Sequence, residues 1–423
     1  MRGRAGTIRS SAFIRGSVLV FGGTLVWHAS NFAFNAVSAR MLGTSQYGTL
    51  AAVIALLYVI SPVFLSIQTV ASRITTRLFV RQDGRGVREL VRYYRVWLAF
   101  VGVVVAAAVA LGSSALARFL RAPSPVPIAI LGAAFLFSFV THLQRGVLQG
   151  AMRFGRYAIS VLTEATVKIV ATVALLLWVW RSVDAAVMAI GIAALAGMIW
   201  NSALLGFLPR SDEQVERERH PYRYSLLTLG CLVLLALLLS VDLLAGKRYL
   251  DPHEAGLYAA VSLSGKIVFF ATSALTLYLF PIFSERQEKG LDSRSTLGGA
   301  LLLLVAASSV LVTIYFAAPQ LVVEPLFGSD YGAAGQYIGW MGVAFGAYAA
   351  LYLTAMYLLA QGHQVVMGVL TLAVLAQLTG LYFFHGDISQ IIAVQGLVFG
   401  ATALVLATLC THSQLVVSEA TQA

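Results

Sequence analysis

Apolar residues fall in uninterrupted runs of about 18–25 residues, the length that crosses a bilayer core at a helical rise of about 1.5 Å per residue. Twelve such runs can be marked, at 17–38, 48–70, 96–117, 127–150, 158–180, 185–208, 224–245, 257–283, 297–318, 335–360, 365–384 and 390–410. In hydrocarbon every backbone N–H and C=O must find its partner within the protein, and a single run of this length does so as a helix. The pattern predicts an all-α polytopic membrane protein with twelve transmembrane helices. Charged residues make up only 11% of the chain, under half the roughly 25% of a soluble domain, so a soluble enzyme is excluded. The first run follows Arg2, Arg4, Arg9 and Arg15 and ends near Ala36-Val37-Ser38-Ala39, the outline of a secretory signal. Its length and its polar His28, Asn31 and Asn35 mark it instead as an uncleaved helix.

The formal net charge of +11 would suggest nucleic acid in a soluble chain, but the placement of the cations gives it another meaning. Of 29 Lys and Arg residues, twenty lie in the N-terminal tail and in 71–95, 151–157, 209–223 and 284–296. Six lie in the alternate intervals: Arg40, Arg118, Arg121, Arg181, Lys247 and Arg248. The positive-inside rule then puts both termini in the cytoplasm, with the chain in the cytoplasmic (inner) membrane. These cations are orientation markers, and no nucleic-acid partner is expected. The stretch 71–95 alternates Arg with Leu78, Phe79, Val80, Val87, Leu90, Tyr93 and Tyr94. That pattern suits an amphipathic segment on anionic headgroups, although an ordinary positive-inside loop accounts for most of it. No interval between runs is long enough for a soluble catalytic domain. Cys231 and Cys410 both fall inside apolar runs, which gives neither a disulfide framework nor a metal spacing.

An internal repeat organises the runs. Arg40, Leu42, Gly48, Ala51, Ala52 and Val53 recur as Arg248, Leu250, Gly256, Ala259, Ala260 and Val261 at a constant offset of 208. Phe119 and Phe327 keep the same offset, and Gln149-Gly150 recurs as Gln361-Gly362 with a small shift. The ordered Arg-x-Leu-x5-Gly frame carries the signal, since Ala and Val matches are common in such a chain. An offset of six helices is even, so both copies run the same way through the membrane. This gives two parallel six-helix lobes, an arrangement found in transporters that rock about a central site. The expected organisation is an N-lobe over 1–210, a cytoplasmic linker over 211–223 and a C-lobe over 224–423. It selects a carrier over a channel or a receptor.

The frame Arg40-Met41-Leu42-Gly43-Thr44-Ser45-Gln46-Tyr47-Gly48 resembles the "RxLGxxxYG" signature of Wzx-type polysaccharide flippases, in the multidrug/oligosaccharidyl-lipid/polysaccharide (MOP) exporter superfamily. Pro62, Gln68 and Arg73 also resemble that group, as does Leu148-Gln149-Gly150 followed by Arg153-Phe154 and Tyr157. The resemblance covers the whole chain in helix count and layout, and specific motifs over the first 170 residues. It implies a V-shaped bundle whose central cavity opens alternately to the two sides, carrying an oligosaccharide on a polyprenyl diphosphate for cell-surface polysaccharide synthesis. Relatives that handle the peptidoglycan precursor typically have fourteen helices, so twelve runs argue against that member.

Ionisable side chains inside a span cost roughly 2.5–3.5 kcal/mol each on insertion scales, so each needs a wet face or a partner. Glu164 and Lys168 lie four apart on the fifth helix and share a face. They read either as a cavity wall where Lys168 meets an anion and Glu164 tunes it or binds a coupling cation, or as a self-neutralised pair. Lys266, in the middle of the eighth helix, has no carboxylate on its own helix and is the leading candidate for a diphosphate contact. Its rival reading is a structural pair with Asp242. Arg145 lies near the end of the fourth helix, where snorkelling accounts for it, and Arg73 lies at the inner end of the second. Arg73, Arg145, Lys168 and Lys266, if inward, make a cationic cavity. Thr24, His28, Asn31 and Asn35 form one polar stripe on the first helix, suited to sugar hydroxyls or to interhelical hydrogen bonds.

Three functions compete. A lipid-linked oligosaccharide flippase needs cavity cations and few carboxylates. A cation-coupled multidrug exporter of the same superfamily needs acidic residues, for which Glu164 and Asp242 are the candidates. A membrane transferase needs a surface loop with acid–base residues, and Asp251, His253 and Glu254 lie together in one, inside the repeated turn. The flippase leads. It requires no catalytic residue, metal or cofactor beyond a coupling Na+ or H+, and its expected partners are the lipid-linked oligosaccharide and membrane lipids, with the protein as a monomer.

Overall fold

The computed structural model describes residues 2–81, 83–208, 222–288 and 294–412. Among the described residues every regular element is helical: α1 (Arg2–Val80), α2 (Gly84–Phe119), α3 (Val126–Gly150), α4 (Phe154–Trp178), α5 (Val183–Leu204), α6 (Tyr222–Tyr249), α7 (Pro252–Glu288), α8 (Arg294–Ala317), α9 (Gln320–Phe327), α10 (Gly335–Ala360), α11 (Val365–Phe383) and α12 (Ile388–His412), with two short 3-10 turns.

Eleven of these segments are long and apolar enough to cross a membrane, and the first, Val26–Val80, has 55 residues. At 1.5 Å per residue it would measure about 80 Å against a hydrocarbon core of about 30 Å, too long for one crossing. The helix breaks at Gly43, whose φ of 72° and ψ of 173° lie where a Cβ is disfavoured. The break divides α1 into two spans and gives the twelve that the apolar runs predict. Large apolar side chains such as Val104, Leu111, Leu302, Leu372 and Leu404 are more than half exposed, the faces expected of helices that meet lipid. Ionisable groups such as Arg145, Lys168, Asp242 and Lys266 are buried instead.

The stretch 71–95 is not a separate amphipathic segment. α1 runs on to Val80 and α2 starts at Gly84, with the Asp83 carboxylate accepting from the Gly86 N–H at 2.7 Å as an N-cap. The apolar residues of the stretch divide: Val87, Leu90 and Val91 are buried, while Val80, Tyr93 and Tyr94 are exposed, and Arg88 donates to the Leu208 carbonyl at 2.9 Å. Of the expected linker, residues 211–221 lie outside the described residues.

Two compact units are present, one made of Met1–Leu42 and Ile60–Pro221, the other of Gly43–Val59 and Tyr222–Ala423. In the first, the N-terminal unit, α3 packs on α2 and α5, and α5 on α4. In the second, the C-terminal unit, α10 is central, packed by α7, α8 and α12, with α11 against α6 and α12. Ile338, Met341, Phe345 and Leu351 form its fully buried core.

The segment 43–59 belongs to the C-terminal unit because the two copies of the repeated turn pack on one another there. A Cβ added at Gly48 would lie 2.8 Å from the Gly256 nitrogen, and one at Gly256 would overlap the Thr44 carbonyl. Only glycine at both repeat-equivalent positions allows this approach. Thr44 Oγ1 and His253 Nδ1 are hydrogen-bonded at 2.9 Å, and Tyr47 is buried edge-on against Tyr331, with centroids 6.0 Å apart. His253 thus serves the turn contact.

Candidate functional site

Each unit carries a polar cluster inside its apolar body. In the N-terminal unit the cluster is built by three helices whose polar residues repeat at helical spacing. α4 presents Ser160, Glu164, Lys168 and Thr172 at intervals of four, a single stripe. The part of α1 before Gly43 presents Trp27, Asn31 and Asn35 at intervals of four, with Phe34 three residues after Asn31, and α3 supplies His142 and Arg145.

Glu164 pairs across helices with Arg145, at 2.7 Å, and not with Lys168 on its own helix. Arg145 also donates from Nε to Ser160 Oγ at 2.9 Å and from a terminal nitrogen to the Ser160 carbonyl at 3.1 Å. At 3% exposure it does not snorkel, contrary to the cheapest reading of its place near a helix end. Glu164 and Ser160 hold it, so it is a fixed and largely neutralised cation. Lys168 is held differently. Its Nζ donates to Asn31 Oδ1 at 2.5 Å and lies 4.8 Å from the Trp27 centroid and 5.9 Å from that of Phe34. Arg145 lies 5.6 Å from the same Trp27 ring. An amide dipole and aromatic faces favour an ammonium but carry no charge. With two cations and one carboxylate, the cluster keeps a net charge of +1, centred on Lys168.

The polar stripe of the first helix is split by the structure. Asn31 faces Lys168, while Asn35 donates back to the Asn31 carbonyl at 2.8 Å. His28 is partly exposed, and the side chain of Thr24 lies outside the described residues. Arg73 is exposed and makes no ion pair among the described residues. His142, beside Arg145, is stacked on Phe64 with centroids 5.2 Å apart and donates from Nδ1 to the Ser138 carbonyl at 2.8 Å.

In the C-terminal unit, α7 presents Tyr258, Ser262 and Lys266 at intervals of four toward Asp242 of α6. Asp242 Oδ2 accepts from the Tyr258 hydroxyl at 2.9 Å and from Ser262 at 2.7 Å. Lys266 is 1% exposed, and its Nζ lies 5.6 Å from the Tyr58 centroid with no hydrogen bond. Asp242 is near enough to Lys266 to interact electrostatically, yet no ion pair forms between them within 4.0 Å. The direct Lys266–Asp242 pair is therefore not made. Lys266 and the Arg145–Lys168 cluster belong to different units.

Trp27, Ser160, Tyr58 and Tyr258 are the residues that sequence reasoning passed over. Trp27 and Ser160 each stand four residues before a polar residue already singled out, Asn31 and Glu164. Tyr58 lies 208 residues before Lys266, so the repeat offset itself pairs the two. Among the described residues no group of three or more His, Cys, Asp or Glu could hold a metal ion.

The model of a family described as "Polysaccharide biosynthesis protein" matches residues 13–287. No curated protein matches. Among solved structures, an inward-facing multidrug resistance MATE family transporter of the MOP superfamily superimposes with a TM-score of 0.70 at 14% identity, over 93% of this chain and 96% of that one. An outward-facing MATE family transporter superimposes with a TM-score of 0.65 at 15% identity, over 95% and 94% of the two chains. A MOP superfamily transporter from Pyrococcus furiosus, described by a reverse polarity of its binding pocket, gives 0.60 at 16% identity over 95% of each chain. At these identities the likeness is one of fold alone.

Proposed function

The chain belongs to the polysaccharide biosynthesis protein family, and from that premise we propose that it is a flippase for a polyprenyl-diphosphate-linked oligosaccharide. It moves this cargo across the cytoplasmic membrane by alternating access between halves 1–210 and 224–423, joined by 211–223, and supplies cell-surface polysaccharide synthesis. The protein acts as a monomer with both termini cytoplasmic, as the Arg and Lys asymmetry requires. Transport needs no covalent step and no resident cofactor; the membrane potential or a Na+ or H+ gradient drives it.

The observation that carries this reading is Lys168. A cation in a membrane span is costly, and this one is kept without a carboxylate of its own, against an amide and two aromatic rings. That arrangement holds an ammonium in place while leaving its charge available to an anion. A diphosphate supplies that charge, and Asn31 and the indole of Trp27 offer hydrogen-bonding and stacking surfaces for the first sugar. A multidrug exporter for cations would instead need a free carboxylate here, and Glu164 is taken up by Arg145.

Deletion of the gene followed by mass spectrometry of polyprenyl-linked glycans tests the proposal. A saccharide-bearing lipid should accumulate on the cytoplasmic face and disappear when the gene is restored. Unchanged lipid-linked pools with export of cationic dyes reduced would establish the exporter instead.

A further inference from the structure

The cluster in the C-terminal unit has a charge balance that the N-terminal one lacks. Three buried polar atoms there make no hydrogen bond: Lys266 Nζ, a donor, and Asp242 Oδ1 and Gln377 Oε1, which are acceptors. They belong to one network. Gln377 Nε2 donates to the Leu238 carbonyl at 3.0 Å, one turn before Asp242 on α6, and to Gln395 Oε1 at 2.7 Å. These two bonds fix both amide orientations, because a flipped Gln377 would set oxygen against oxygen. Gln395 interacts in turn with the Tyr258 hydroxyl, which donates to Asp242.

A buried donor or acceptor without a partner costs roughly 1–3 kcal/mol, more when charged, so three in one cluster call for an occupant. Its chemistry follows from the balance. An anion drawn to Lys266 would meet the Asp242 carboxylate, and a cation drawn to Asp242 would meet the Lys266 ammonium. Neither improves on the existing pair. A neutral group that both donates and accepts suits both, and a hydroxyl or a water has that capacity. The absence of a direct Lys266–Asp242 ion pair within 4.0 Å leaves the two charges to be joined through such a group.

We infer that the C-terminal unit holds a charge-neutral hydroxyl-binding site, in which water or a saccharide hydroxyl bridges Lys266 Nζ and Asp242 Oδ1, and that anion recognition belongs to Lys168. The second clause rests on the flippase reading; the first does not. Lys266, the strongest diphosphate candidate in the sequence, then serves the uncharged part of the cargo or its hydration. Tyr58, the repeat equivalent of Lys266, covers the ammonium with its ring.

The test uses the full chain in nanodiscs, titrated with bare polyprenyl diphosphate and with an oligosaccharide-bearing polyprenyl diphosphate by native mass spectrometry. The double variant Lys266→Met with Asp242→Asn removes both charges together, so it leaves no buried orphan charge. It should bind the bare lipid within about twofold of wild type, whereas Lys168→Met should bind it at least about tenfold more weakly. A tenfold loss by the double variant on the oligosaccharide-bearing lipid alone would assign the occupant to the glycan. Equal binding would assign it to water. An experimental map of wild-type protein should show density bridging Lys266 and Asp242 in either case. A tenfold loss on the bare lipid, or a direct Lys266–Asp242 contact in the map, would overturn the inference. Wild-type protein that binds neither lipid would refute the flippase reading, and the map would still decide the hydroxyl site.

Discussion

Arg145 and Lys168 share one cluster and one indole, yet they answer differently to substitution. Arg145 is tied to Glu164 and twice to Ser160, so Glu164→Gln leaves a buried guanidinium short of its counter-charge. Breaking a buried pair from one side costs about 3–5 kcal/mol, and the variant should lose thermal stability in detergent, read as an earlier unfolding transition. Lys168→Met removes a cation held by a neutral amide and two aromatic rings, without an ion pair among the described residues. It should fold with a melting temperature close to wild type and lose transport by about tenfold or more; a large loss of stability instead would make Lys168 structural. The Glu164–Lys168 spacing was visible in the chain, but the choice of Arg145 as partner was not. Spacing along one helix reports only neighbours at i+3 and i+4, whereas this pair is made by two helices that meet through packing.

Spans, by contrast, were legible almost throughout, since bilayer thickness fixes the length of an apolar run and leaves few alternatives. The boundary at Gly43 falls between two of these runs, and its repeat partner Asp251 occupies the break between α6 and α7. In the stretch 71–95 an amphipathic pattern shows that a helix has two faces without showing what covers the apolar one. Here Val87 and Leu90 are covered by protein. The glycine contact between helix 44–59 and α7 gives a direct check. Gly256→Ala places a methyl group against the Thr44 carbonyl, an overpacking that costs roughly 1–3 kcal/mol. The variant should melt earlier than wild type, while Gly298→Ala, where an added Cβ meets nothing within 4 Å, should not.

For the whole molecule, orientation and cargo were readable to different depths. Twenty of 29 cations bear on which side of the membrane a loop is expected to face and say nothing of the proposed cargo. Cysteine introduced at Arg85 should be labelled only after the membrane is opened, and cysteine at Ser124 from the outside of intact cells. The native Cys231 and Cys410 are buried and should stay silent. The reverse labelling pattern would invert the topology. The proposed cargo rests on a few charges within the spans, read through their tertiary neighbours: Asn31 and Trp27 beside Lys168, and Asp242 near Lys266. The central claim is tested most directly by reconstituting the purified protein in proteoliposomes loaded with an oligosaccharide-bearing polyprenyl diphosphate and following its appearance in the opposite leaflet. Wild-type vesicles should translocate the lipid well above empty vesicles, and Lys168→Met vesicles at close to the empty rate. Wild-type protein that translocates no faster than empty vesicles, while remaining folded, would contradict the account.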